Sequence, residues 1–120
     1  MSSLIRLGVV GYGGRGRDLF GLATHGACPD VMAAAVCEKD PELLAQACRE
    51  QPSVEGFTDY AAMWTAAHLD AVLIETPALQ HTTPACQALA AGVHVLSDVP
   101  AVASLDEGTE LYAAVGRSEA

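Results

Sequence analysis

A chain of 120 residues is long enough for one domain and too short for two. Hydrophobic residues make up 51% and charged residues 18%, a balance that supports a sizeable core and excludes a disordered chain. With 15 acidic residues against 6 basic ones the formal net charge is −9, which argues against a nucleic-acid-binding face but not against a phosphate-bearing ligand held by backbone N–H groups.

The N-terminal Met1-Ser2-Ser3 carries no basic flank and no cleavage site, so no secretory leader is expected. Leu4 to Val10 reads as a buried strand, followed by helical residues from about Arg15 to His25. Val31 to Cys37 is a second buried strand. As the longest apolar run, it falls far short of the roughly 20 residues a membrane span needs. Asp40, Pro41 and Glu42 suit the N-cap, first position and first turn of a helix that runs to about Glu50. A short strand is expected at Val54 to Phe57. A helix opened by Thr58 and Asp59 then runs through Tyr60, Met63, Trp64 and Ala67, with Met63 and Trp64 expected in its core face. Asp70 to Glu75 is a fourth strand. Thr83 before Pro84 starts a helix that Gly92 ends, Val93 to Leu96 is a fifth strand, and Ser104 with Glu107 forms a capping box for a last helix.

Strands that alternate with helices and are apolar on both faces imply a parallel sheet covered on each side. The expected fold is a doubly wound α/β (Rossmann) sheet of strand order 3-2-1-4-5, occupying residues 1–120 as one dinucleotide-binding domain. The four cysteines, Cys28, Cys37, Cys48 and Cys86, form no CxxC pair and have no histidine at metal-ligand spacing. They are expected as buried or half-buried thiols of a cytoplasmic protein, and no metal site is expected.

The strongest chemical signal is Gly11-Tyr12-Gly13-Gly14-Arg15-Gly16, a G-x-G-x-x-G loop between the first strand and the first helix. Gly11 permits a tight turn, Gly13 lets the backbone approach a pyrophosphate, and Gly16 lets helix and strand pack closely. Glu38 ends the second strand 38 − 16 = 22 residues beyond Gly16, about where an acid meets the ribose hydroxyls of adenosine. A carboxylate there repels a 2′-phosphate, which favours NAD over NADP, although Lys39 offers such a phosphate a partner. Thr76 and Pro77, after the fourth strand, and His81 lie where an open sheet binds ligands. His81 reads equally as a polar residue helping to cap the helix at Pro84.

In order and spacing, the segments IRLGVVGYGGRG, AAAVCEKDPELLAQA, FTDYAAMW and LDAVLIETPALQHTTPACQALAAGVHVLSDVPAVAS resemble the Gfo/Idh/MocA oxidoreductases over nearly the whole chain. The resemblance implies an NAD(P)-binding domain of an enzyme acting on a sugar, polyol or related small molecule. Family members usually carry Glu-Lys-Pro after the fifth strand, with the lysine near nicotinamide and substrate. The matching residues here are Asp98-Val99-Pro100, and Ala78 replaces the asparagine often found after Thr-Pro. The resemblance therefore places Asp98 beside the cofactor and puts ordinary dehydrogenation in doubt. The glycine loop and the Val-Pro-Ala stretch look closer to a branch near NAD-dependent glycosidases. A non-catalytic nucleotide-binding module is a third reading. Family members also have a sixth strand and a second domain that supplies the usual catalytic histidine. Neither is found here, so no catalytic residue is assigned, and the fifth strand is expected as an edge open to self-association or to that further domain.

Overall fold

The computed structural model describes residues 4–120, and the reading of Met1 to Ser3 lies outside the described residues. Five strands, β1 (Ile5–Val10), β2 (Val31–Cys37), β3 (Glu55–Phe57), β4 (Ala71–Ile74) and β5 (His94–Ser97), form one sheet in the order β3-β2-β1-β4-β5. Every neighbouring pair is parallel. The helices are α1 (Gly14–Leu22), α2 (Pro41–Glu50), α3 (Tyr60–Ala66), α4 (Thr82–Ala90) and α5 (Leu105–Arg117). This is the doubly wound Rossmann arrangement that the alternating pattern predicts.

Each face of the sheet has its own core. Val9, Val36 and Leu73 point to one side, where Tyr12 and Phe20 near and on α1 and Ala47 of α2 close over them. Val10, Cys37, Val72 and Ile74 point to the other, against Met63 of α3 and Ala85 and Ala88 of α4. Adjacent residues thus serve opposite cores, which is why these strands are apolar without alternation. β2 manages this with one extra residue. Leu7 pairs with Ala33 but Gly8 with Ala35, leaving Ala34 as a bulge. The layer of α1 and α2 does not extend across β5, where Leu96 stays 67% exposed.

The capping signals of α2, α3 and α5 act as read. Asp40 accepts from the Glu42 N–H, Asp59 from Ala61, and Ser104 from Glu107. The Glu107 carboxylate answers by accepting from the Ala103 N–H rather than from the cap residue itself. Boundaries differ in several places, and α4 opens at Thr82 with His81 at its N-cap position rather than behind Thr83. α1 gives way after Leu22 to a wide turn over Ala23–Ala27, because Gly26 sits at φ +104° and Thr24 turns its hydroxyl back onto the Phe20 carbonyl. A short 3-10 turn over Ala78–Gln80, absent from the sequence reading, precedes α4. β5 begins at His94 rather than Val93, whose N–H is used to close α4 on the Ala88 carbonyl. Cys28 and Cys48 are exposed rather than covered, Cys37 is buried, and all four thiols are free.

One polar clasp ties the ends of α1 and α2. Glu50 accepts from the Tyr12 hydroxyl at 2.8 Å and from the Arg17 guanidinium through both of its oxygens. The hydrogen bonds of Arg17, then that of Tyr12, hold Glu50 down at about 2, and burial with Glu50 alongside pushes the Tyr12 phenol up to about 12. A carboxylate whose folded value is depressed stabilises the fold above its unfolded value, and that contribution is lost as pH falls through the folded one. Glu50→Gln should therefore lower the urea midpoint at neutral pH. The gap to the parent chain should close between about pH 4.5 and about pH 2. A gap that persists at the acid end would mean that the clasp acts through shape and not charge.

Candidate functional site

Neighbouring crossovers leave β1 in opposite directions, toward β2 on one side and β4 on the other. The carboxyl ends of the strands therefore open a crevice there, where doubly wound sheets take their ligands. A cavity of about 780 Å³ lies in it, a size suited to a cofactor. The glycine loop forms its floor, Glu38 and Lys39 one end, and Glu75, Thr76 and Pro77 the other.

The three motif glycines do separate work. Gly11 has φ +95°, and a Cβ on it would stand 2.5 Å from the Glu75 carbonyl oxygen. A Cβ on Gly16 would stand 2.0 Å from the Gly11 carbonyl oxygen, so α1 rests directly on the end of β1. Gly13 and Gly14 are different, since a Cβ on either meets no atom within 4 Å. Gly13 is the N-cap of α1, no side chain caps that end, and the first turn holds no acid. The leading N–H groups of α1 thus face the cavity with the positive end of the helix dipole, as a diphosphate requires.

Glu38 is braced as well as placed. One carboxylate oxygen accepts from the Tyr12 N–H at 2.8 Å and the other from the Asp40 N–H at 2.9 Å. Each oxygen keeps lone-pair capacity toward the cavity. Arg15 reaches across from α1 to Asp98, beyond the end of β5, with Nε 2.6 Å from the carboxylate. Thr76 and Pro77 lie on the wall, and the Thr76 hydroxyl donates to the Gln80 carbonyl.

Three of the residues expected at the cofactor do not line the cavity. Tyr12 occupies a loop position, but its ring is 1% exposed in the α1–α2 core and its N–H is taken by Glu38, so it offers the cavity nothing. His81 is 3% exposed and neither lines the cavity nor caps α4 with its side chain. Its ring nitrogens lie 2.7 Å from the carbonyl oxygens of Thr76 and Pro100, fastening the segment after β4 to the one after β5. Asp98 meets the cavity through Arg15 rather than as wall. Val99, at the lysine position of the resemblance, is 83% exposed.

Tyr60 and Glu75 are among the wall residues that the sequence reading does not name. Tyr60, half-buried at the start of α3, lies on the wall beside Cys37 and Glu38. Glu75 follows directly on β4 and lies on the wall opposite. Its signal was present, since the residue after a central parallel strand belongs to the ligand crevice. Burial first, then the neighbouring Asp98 carboxyl, pushes Glu75 up to about 7, against the opposing pull of Arg15. The Val99 N–H, foremost, keeps Asp98 below the usual range.

Residues 5–120 match the Gfo/Idh/MocA family, described as an oxidoreductase family with an NAD-binding Rossmann fold. The chain belongs to this family as its NAD-binding domain. It is 34% identical to a glycosyl hydrolase family 109 protein of Solibacter usitatus over 97% of this chain and 28% of that one. It is 34% identical to an inositol 2-dehydrogenase of Corynebacterium glutamicum over 83% of this chain and 29% of that one. Among solved structures, the WlbA dehydrogenase of Chromobacterium violaceum, in complex with NADH and UDP-GlcNAcA, superposes with a TM-score of 0.89 at 25% identity. That match covers 98% of this chain and 33% of that one. The scyllo-inositol dehydrogenase of Lactobacillus casei, with bound NAD(H) and scyllo-inositol, superposes with a TM-score of 0.88 at 26% identity, over 96% of this chain and 34% of that one. The chain thus spans about a third of the length of these relatives.

The glycines separate fold from binding. Gly16→Ala should unfold or strongly destabilise the chain, because its Cβ meets backbone. Gly13→Val should keep the circular dichroism of the parent and lose NADH binding, because its side chain would fill the space before α1. Unchanged affinity in folded Gly13→Val would show that the ligand does not lie on this turn.

Proposed function

We propose that this protein serves as the cofactor-holding part of a cytoplasmic oxidoreductase acting on a sugar, a polyol or a related small molecule. In this reading the cofactor supplies the hydride chemistry, and the chain binds and orients it. The observation that carries the reading is the cavity itself, with an uncapped helix N-terminus at its floor and a braced carboxylate at one end. A diphosphate suits the first and vicinal ribose hydroxyls suit the second. Glu38 favours NAD over NADP by repelling a 2′-phosphate. The exposed Lys39 beside it is the only basic residue on the described cavity wall near that end. The four free thiols suit a reducing compartment, and no described helix is long and apolar enough to cross a membrane.

A second reading is favoured by Val99. This side chain holds no proton and makes no hydrogen bond, so the lysine of ordinary sugar dehydrogenation has no counterpart at this position. The likeness to glycosyl hydrolase family 109 proteins supports a cofactor-dependent cleavage of glycosidic bonds instead. Product analysis with the complete gene product separates the two, since released sugar marks the glycosidase and accumulated NADH the dehydrogenase.

Calorimetric titration should show NADH binding to the 120-residue chain, weakly, because the cavity is open to solvent on one side. NAD should bind about tenfold more tightly than NADP, a difference of about 1.4 kcal/mol. Glu38→Ala should narrow that gap while weakening both, since the brace on the glycine loop goes with the carboxylate. A parent chain that prefers NADP would give the decision to Lys39.

A further inference from the structure

The cavity has two ends of different chemistry. Glu38 marks the β2 end and the N-terminus of α1 the middle. A dinucleotide with its adenosine ribose on Glu38 and its diphosphate before α1 therefore extends its nicotinamide toward β4 and β5. There the wall residue is Glu75. The register that pairs Ile74 with Ser97 sets Asp98 beside it, and Arg15 binds Asp98 at 2.6 Å. Two carboxyls and one guanidinium thus sit where the charge of the nicotinamide ring changes. The oxidised ring carries a positive charge, and the reduced ring does not.

We propose that the Glu75–Asp98 carboxyl pair, held by Arg15 at the β4–β5 end of the cavity, sets the preference of this pocket between oxidised and reduced nicotinamide dinucleotide. This rests on the reading of the cavity as the NAD site and assigns a specificity-determining residue within it. When the pair shares a proton, its single negative charge is cancelled by Arg15, and the ring charge makes little difference. When Glu75 is ionised, the group carries a net negative charge and attracts the oxidised ring in a crevice where such attraction is only partly screened. The groups that face Glu75 are Asp98 from the end of β5, Arg15 from α1 and His81 from the start of α4. Of these, Asp98 is bound to Arg15, and the His81 ring nitrogens are turned to two backbone carbonyls. Glu75 is the carboxyl of this cluster that stands on the cavity wall.

The test is the ratio of the NADH to the NAD dissociation constant, measured by calorimetry on the 120-residue chain between about pH 6 and about pH 8. In the parent chain the ratio should rise about fivefold or more across this range. In Glu75→Gln, which mimics the protonated carboxyl, it should stay flat at the low-pH value. By reciprocity, the midpoint of the Glu75 carboxyl resonance followed by carbon NMR should lie lower with NAD bound than with NADH bound. A flat ratio in the parent chain overturns the inference while leaving the NAD site intact. A slope that survives in Glu75→Gln also overturns it, by assigning the titration to another group. Should that variant not fold, the NMR midpoint decides alone, and a midpoint indifferent to both cofactors refutes the role. Failure of both cofactors to bind at every pH would remove the site, and this inference with it.

Discussion

The close approach of α1 to the end of β1 is the constraint on which the rest depends. A Cβ at Gly16 would fall 2.0 Å from the Gly11 carbonyl oxygen, so backbone lies against backbone with no side chain between. That contact aims the N-terminus of α1 over the carboxyl end of the sheet, where the oriented N–H groups face the crevice. The same turn brings the Tyr12 N–H to Glu38 and sends the Tyr12 ring down into the α1–α2 core. One six-residue loop thereby fixes the helix, the acidic end of the cavity and part of the core beneath it.

The ends of the cavity differ in how they hold charge. At the β2 end, two N–H groups bind Glu38 and fix its direction. At the β4 end, Glu75 has a carboxyl beside it and no described hydrogen-bond donor closer than the Arg15 shared through Asp98. Burial beside a second carboxyl favours the protonated form of Glu75. His81 adds the mechanical link that keeps the β4 and β5 loops in step, through carbonyls of both.

Most of the fold was legible because buried parallel strands write themselves as continuous apolar runs and helix starts carry distinct caps. Asp40, Asp59 and Ser104 each cap as read. The bulge at Ala34 was not legible, since a run of three alanines carries no register. The wide turn after α1 was missed because a single Gly26 inside a helical stretch does not reveal its φ. At the site, backbone positions are easier to read from the motif than side-chain directions. Gly11 and Gly16 stand where a Cβ would meet backbone, which follows from their position between strand and helix. Tyr12 and His81 act through side chains whose direction depends on packing that no spacing encodes. Glu75 was overlooked because it reads as the last residue of an apolar strand.

The double brace on Glu38 has an evolutionary consequence. A residue that only selected the ribose could be exchanged freely when a lineage turned to a phosphorylated cofactor. Here the same carboxylate accepts from the glycine loop and from the residue that caps α2. Replacing it removes an anchor of two loops together with the selecting group. A shift of cofactor therefore requires coordinated substitutions, one to admit the new ligand and others to restore the lost anchorage. A single substitution at this half-buried position therefore costs loop anchorage as well as a carboxylate at the cavity end.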